Sequence, residues 1–212
     1  MQKIQEWLKN GWFLVKSDFK KFIKITCFVY IFILLALRIP FVSTTPSLYT
    51  YFITLVTISI TPIIWPVSAL TFILSPVISS GFFYIIFRKM EGEEISAKDI
   101  LKGLNYFLPV FLANAIIVVS TIFGLIILII PGLIISSLFM FTIPLIVEKK
   151  LSFWNAMEES RKVVQKDLPN FLVFLTILMG INLLGILCLG IGLFVSTPVI
   201  IASIAYAYRD LF

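Results

Sequence analysis

Ser47–Phe87, SLYTYFITLVTISITPIIWPVSALTFILSPVISSGFFYIIF, runs for 41 residues without a charged side chain. As one helix it would extend about 60 Å, twice what a hydrocarbon core about 30 Å thick requires. It is therefore either two spans or one span with a surplus, and the choice fixes which side of the membrane everything after it meets. Charge decides between them. With one crossing, 16 of the 17 lysines and arginines fall on one side and only Arg38 on the other. With two crossings, six lie inside and 11 outside, against the tendency of basic loops to stay cytoplasmic. One crossing is expected. The surplus around Leu48 to Trp65 contains Pro62 and Pro66, which interrupt a helix. The sequence alone leaves residues 48–76 as a re-entrant, an interfacial or a long broken helix.

Composition places the rest of the chain in the same setting. Its 212 residues are 60% hydrophobic and 13% charged, too apolar for a soluble domain, which carries nearer a quarter charged residues. Further charge-free runs cover Ile25–Leu37, Gly103–Val147 and Leu168–Tyr208. Pro131-Gly132 divides the second of these, and Gly190-Ile191-Gly192 divides the third. The expected fold is all-α, a polytopic helical membrane protein. Its six transmembrane helices would pair as three hairpins, at about 23–38, within 48–87, and at about 106–130, 132–148, 168–188 and 191–208. The chain reads as one membrane domain over 1–212. Residues 1–22 would be a cytoplasmic amphipathic helix and 23–212 the bundle, with cytoplasmic connections near 88–105 and 148–167. Both termini are expected to be cytoplasmic, and the location the cytoplasmic membrane.

Aromatic residues agree with these limits, since Trp and Tyr favour the bilayer interfaces. Trp7, Trp12, Tyr84, Tyr106, Trp154, Tyr206 and Tyr208 fall at the proposed inner boundary, and Tyr49, Tyr51 and Trp65 at the outer one. Cys27 and Cys188 lie at opposite faces, so they are not expected to pair. A charged stretch ahead of the first apolar one argues against a cleavable signal peptide.

A repeat is visible beneath the spans. Pro131, Ser136-Ser137 and Ser152 follow Pro76, Ser79-Ser80 and Ser96 at offsets of 55, 57 and 56, and Pro169 follows Pro109 at 60. A partial third copy runs from Pro198 through Ala202-Ser203 to Arg209. The unit is a hairpin joined to the next by an amphipathic cytoplasmic helix. In the first such helix, Ile4, Leu8, Trp12, Val15, Phe19 and Phe22 form an apolar stripe that should float in the headgroup layer. In the second, Ser96 is an N-cap, Asp99 completes a capping box, and Ile95 with Ile100 forms a hydrophobic staple. The third starts at Ser152, carries Trp154, Met157, Val164 and Leu168 on one face, and spaces Glu158 and Lys162 as an i,i+4 pair. Such helices brace neighbouring spans. Their lysines, Lys9, Lys16, Lys20 and Lys21 above all, are also candidates for binding anionic lipid headgroups.

The interior is poor in chemistry. There is no histidine, no G-x-S-x-G elbow, no H-E-x-x-H and no phosphate-binding G-x-x-x-x-G-K, so no catalytic, metal or cofactor site is expected. Glu91, Glu93 and Glu94 read as a solvated loop. Asn114, Ser120, Thr121, Ser136, Ser137, Thr142, Asn182 and Thr197 are polar groups in spans, of a kind that joins helices. Asn114, Ser120 and Asn182 are also the candidates for lining a pore. Ser120 with Gly124, and Gly180 with Gly185, suit close helix contact. A net charge of +6 is taken up at the lipid boundary, so nucleic acid is not an expected partner.

Ile129-Ile130-Pro131-Gly132, Pro144-Leu145-Ile146-Val147-Glu148, Trp154-Asn155-Ala156, Glu159-Ser160 and Ala205-Tyr206-Ala207-Tyr208-Arg209-Asp210-Leu211 carry a resemblance over residues 66–212. Together they resemble the YciC-like group of prokaryotic membrane proteins and the membrane domain fused to some glycerophosphodiester phosphodiesterases. That resemblance implies six spans in a prokaryotic inner membrane and carries over no catalytic residue. The expectation is a non-enzymatic, homo-oligomeric membrane protein that acts as a lipid-contacting scaffold or assembly partner. The alternatives are a homo-oligomeric channel or transporter, and an accessory membrane domain for a lipid-processing enzyme.

Overall fold

A computed structural model describes residues 2–36, 74–127, 129–188 and 192–212. The surplus at 48–65, Arg38, the outer aromatic set and most of the Gly190-Ile191-Gly192 turn lie outside the described residues. The rest is helical: α1 (Gln2–Ser17), α2 (Phe19–Ala36), α3 (74–90), a 3-10 helix (Ala97–Tyr106), α4 (Phe107–Ile127), α5 (Ile129–Leu138), α6 (Thr142–Lys149), α7 (Phe153–Gln165), α8 (Leu168–Leu187) and α9 (Leu193–Leu211). Among the described residues three helical stretches are long and apolar enough to cross a membrane, Ala97–Gly124, Ile130–Lys149 and Leu168–Leu187. Their outward faces suit lipid, since Leu108, Leu112, Ile122, Phe123 and Ile126 on α4 and Met179, Leu183, Leu184 and Leu187 on α8 are exposed.

The connecting amphipathic segments fold back on the apolar helices that precede them. α3 ends in a Schellman turn, where Gly92 takes φ 82° and the Glu93 and Gly92 amides donate to the Arg88 and Lys89 carbonyls. The chain then reverses, and Ser96 starts the 3-10 helix with the expected capping box, Asp99 accepting from the Ser96 amide at 2.9 Å. Three residues per turn put Ile100 and Gly103 in one line along α3. Cβ atoms at Gly81 and Gly103 would overlap the carbonyls of Ile100 and Val77, so neither position admits a side chain. Ser80, fully buried, donates to the Gly103 carbonyl at 3.1 Å.

The second copy shows a break that sequence reading treats as one helix over 132–148. Pro144 has no amide for the Met140 carbonyl, and its ring crowds that turn. The helix therefore stops at Leu138 and restarts at Thr142. α7 repairs the damage. The buried Ser160 hydroxyl donates to the Leu138 carbonyl at 2.7 Å and accepts from the Phe141 amide at 3.2 Å. Both freed backbone groups are thereby satisfied inside an apolar layer, where an unmatched one is costly.

The third contact joins the two ends of the chain. α1 packs on α9, with Gly11 against the buried Ser203 and Lys3 paired with Asp210 at 3.0 Å, so α1 runs back from the C-terminal end of α9. The repeat read from Ser79-Ser80, Ser136-Ser137 and Ala202-Ser203 has a structural counterpart. Ser80, Ser137 and Ser203 are all fully buried, and each lies at or next to the place where an amphipathic helix crosses.

The apolar stripe of α1 needs correction. Its buried residues are Ile4, Trp7, Gly11 and Val15, while Trp12 and Phe19 are 45% and 40% exposed. Hydrophobicity gives Gly11 no weight, yet a glycine is what lets α9 approach. This helix is part of the bundle rather than afloat. Trp7 is a core residue, 6.3 Å from Phe171 and 5.4 Å from Phe174, rather than an interface anchor. In α7 the buried residues are Ala156, Met157, Ser160 and Val164, and Trp154 points away at 60% exposure.

Candidate functional site

One end of the molecule gathers the turn after α3, the end of α6, the end of α9 and the start of α1. Arg209 places one guanidinium nitrogen 2.9 Å from Glu91 and 2.7 Å from Glu148, and its plane lies 5.5 Å over the Phe87 ring. The Tyr208 hydroxyl bonds to Glu148, and its ring stacks on Phe212 at 5.2 Å. Lys149 sits 5.2 Å over Phe212 and donates to its carbonyl. Around this knot, Lys89 pairs with Asp18, Arg88 with Glu93 and with Asp99 at 3.1 Å, and Lys102 with Asp99 at 3.3 Å. Lys89 beside Asp18 holds that carboxyl below its ordinary value, outweighing the opposing effect of burial.

Individually such exposed pairs contribute about 1 kcal/mol or less. Their collective effect is on where free charge remains. Seven acids are committed internally: Asp18, Glu91, Glu93, Asp99, Glu148, Glu158 and Asp210. Glu91 and Glu93 turn to separate arginines, and no cluster that could hold a metal ion occurs among the described residues. Lys9, Lys16, Lys20, Lys24, Lys98, Lys150, Arg161 and Lys166 are exposed and make no ion pair among the described residues. Of the four lysines marked from sequence, Lys9, Lys16 and Lys20 are of this kind. Lys21 is exposed and shares Asp18 at 4.0 Å with Lys89.

Grooves open on the surface of the described residues, and two of them exceed about 300 Å³. One, of about 360 Å³, lies between α7 and the α5–α6 break and is lined by Phe139, Trp154, Met157, Glu158 and Arg161. The other, of about 390 Å³, lies between α1, α8 and α9, and is almost wholly apolar, with Leu8, Trp12, Leu184 and Val195 in its walls.

The polar residues marked for a pore lie on two helices that share α5 and α7 as neighbours. Asn114 and Ser120 are half-buried on α4, which packs on α5, α6, α7 and the 3-10 helix. Asn182 is half-buried on α8, which packs on α9, α5 and α7. The small-residue contacts are partly as read. Gly124 meets Gly132, and Gly185 meets Gly192 and Ser196, but Gly180 faces open space. Ser136 donates to the Gly132 carbonyl, while the hydroxyls of Thr121, Ser137 and Thr142 are buried without a partner among the described residues. Sequence reading missed Gly11, Ser160 and Arg209 as organising residues. Ser160 and Arg209 both fall in the short motifs quoted from the sequence, though without a role, and nothing in the sequence pointed to Gly11. Comparison with protein families, curated proteins and solved structures returns no match for this chain.

Proposed function

We propose that this chain is a non-enzymatic, six-span protein of the cytoplasmic membrane whose basic cytoplasmic rim contacts anionic lipid, serving as a scaffold or assembly partner. The observation that carries the reading is the asymmetry of free charge. Internal pairing consumes most acids and leaves Lys9, Lys16, Lys20, Lys24, Lys98, Lys150, Arg161 and Lys166 without acidic partners among the described residues. An uncompensated lysine near an anionic bilayer surface contributes about 1 kcal/mol of attraction.

The topology has its own support. Lys3, Glu91, Glu148 and Arg209 meet at one end of the molecule, as the ion pairs Lys3–Asp210, Arg209–Glu91 and Arg209–Glu148 require. A chain that returns to one side at each of these points crosses an even number of times in between. That favours a single crossing in the long run ending at Phe87 and both termini on one side, which the excess of lysine and arginine there makes the cytoplasmic one in this reading. Homo-oligomerisation belongs to the same reading, since the apolar outer faces of α4 and α8, with Gly180 on the latter, suit contact with a second copy.

The test is lipid selectivity in proteoliposomes containing the full chain. Spin-labelled phosphatidylglycerol should be enriched over phosphatidylcholine at the protein boundary, and replacing Lys9, Lys16, Lys20 and Lys21 by glutamine should reduce that enrichment. Equal boundary occupancy of the two lipids by the unaltered protein would overturn the reading.

A further inference from the structure

The groove beside the α5–α6 break differs from the general basic rim in joining two chemistries within one enclosure. Its apolar part is Phe139, Met157 and the outward-turned Trp154. Its polar part is Glu158 and Arg161, neighbours on one face of α7. Glu158 makes its ion pair with Lys162 at 2.9 Å, and Arg161, close enough to help hold that carboxyl below its ordinary value, makes no ion pair with it. Arg161 has no acidic partner among the described residues, so the groove carries one free guanidinium against an apolar wall.

That combination specifies its occupant. A guanidinium presents a planar fork of donors matched to two oxygens of a phosphate. A free phosphate would leave Phe139, Met157 and Trp154 bare, and a neutral apolar chain would leave Arg161 unmatched. A molecule with an anionic phosphate joined to a hydrocarbon chain satisfies both. The setting supplies such molecules, since Phe139 belongs to the stretch Ile130–Lys149, which is apolar enough to cross a bilayer, and α8, another such stretch, begins just after α7. At about 360 Å³ the groove is at the lower end of small-molecule sites, enough for a headgroup phosphate and the first part of a tail.

We propose that this groove is a discrete site for one anionic phospholipid, with its phosphate on Arg161 and its proximal acyl chain along Phe139, Met157 and Trp154. The proposal rests on the lipid-contacting reading but concerns a single bound molecule rather than the annulus. It is tested on the full chain in detergent by native mass spectrometry with added phosphatidylglycerol or phosphatidylcholine. The expected result is one phosphatidylglycerol retained in preference to phosphatidylcholine, with retention falling about tenfold in Arg161→Gln, the loss of one charge-assisted contact. It should persist in Lys166→Gln, whose exposed cation lies outside the groove, and in the variant lacking Lys9, Lys16, Lys20 and Lys21. Equal retention of both lipids, equal loss in Arg161→Gln and Lys166→Gln, or full displacement of the lipid by inorganic phosphate would each overturn it. Failure of boundary enrichment with Arg161-dependent retention intact would sink the rim reading alone.

Discussion

Gly11 lies so close to Ser203 that a β-carbon on it would stand 2.5 Å from the serine hydroxyl and 2.8 Å from the serine amide nitrogen. The hydroxyl can rotate away, but the backbone cannot. Gly11→Val should therefore force α1 off α9 and destabilise the protein by about 1–3 kcal/mol, the usual cost of overfilling a packed interface. Phe13→Ala, on the exposed side of the same helix, should change stability by less than about 0.5 kcal/mol. Thermal unfolding of both variants in detergent checks the contrast, and equal melting temperatures would refute the packing of α1.

Ser160→Ala removes the group that satisfies the Leu138 carbonyl and the Phe141 amide at the helix break. A buried amide and a part-buried carbonyl would lose their partner, and the expected destabilisation is about 1–3 kcal/mol. Hydrogen exchange locates the effect: the Phe141 amide should exchange faster in the variant while amides of α8 are unchanged. An unaltered rate at Phe141 would mean that the hydroxyl is not its partner.

The two glycines of α8 should respond in opposite directions. A β-carbon on Gly180 would meet no neighbour within 4 Å, so Gly180→Ala should stabilise the helix by up to about 1 kcal/mol. Gly185→Ala would bring a methyl group 2.6 Å from the Ser196 hydroxyl and 3.2 Å from the backbone of Gly192 and Leu193, and should lower stability. Melting temperatures that move the same way in both variants would contradict the α8–α9 contact.

Acid should dissolve the tie between the α1–α2 junction and α3. Because Lys89 holds the Asp18 carboxyl below 3.8, the pair contributes stability at any pH above that value and loses it as the pH falls past 3.8 and through the lower folded value. Asp18→Asn should therefore melt below the unaltered protein at pH 7, and the gap should close in more acidic solution. A gap that stays constant down to pH 3 would show that Asp18 acts through something other than its charge.

Much of the fold is legible before any coordinates. Charge-free length identifies Leu168–Leu187 and the two other stretches, Ser96 and Ser152 announce the starts of their helices, and Glu158 with Lys162 forms the pair that its spacing requires. What escapes is whatever depends on contact between distant segments. The inward face of α1 turns on Gly11, which no hydrophobicity pattern marks. The break at 139–141 follows from Pro144, but its repair by Ser160 depends on a helix that comes later in the chain. For the candidate site, the exposed lysines are readable from composition and periodicity. Which cations remain free is not, because that depends on Arg209 meeting Glu91 across 118 positions and Glu148 from a third element.

The seam between α1 and α9 also has a temporal side. Lys3 and Asp210 are separated by 207 positions, so α1 leaves the ribosome long before the helix it packs on exists. At ordinary rates of translation that interval is roughly 10–40 s. For most of it, Ile4, Trp7 and Val15 are without the surface that buries them in the finished molecule, α8 for Trp7 included. A nascent chain in this state carries an amphipathic, lysine-bearing helix whose apolar face has yet to meet its partner. Docking onto α9 then turns Ile4, Trp7 and Val15 inward and leaves Lys9 and Lys16 on the exposed side of the helix.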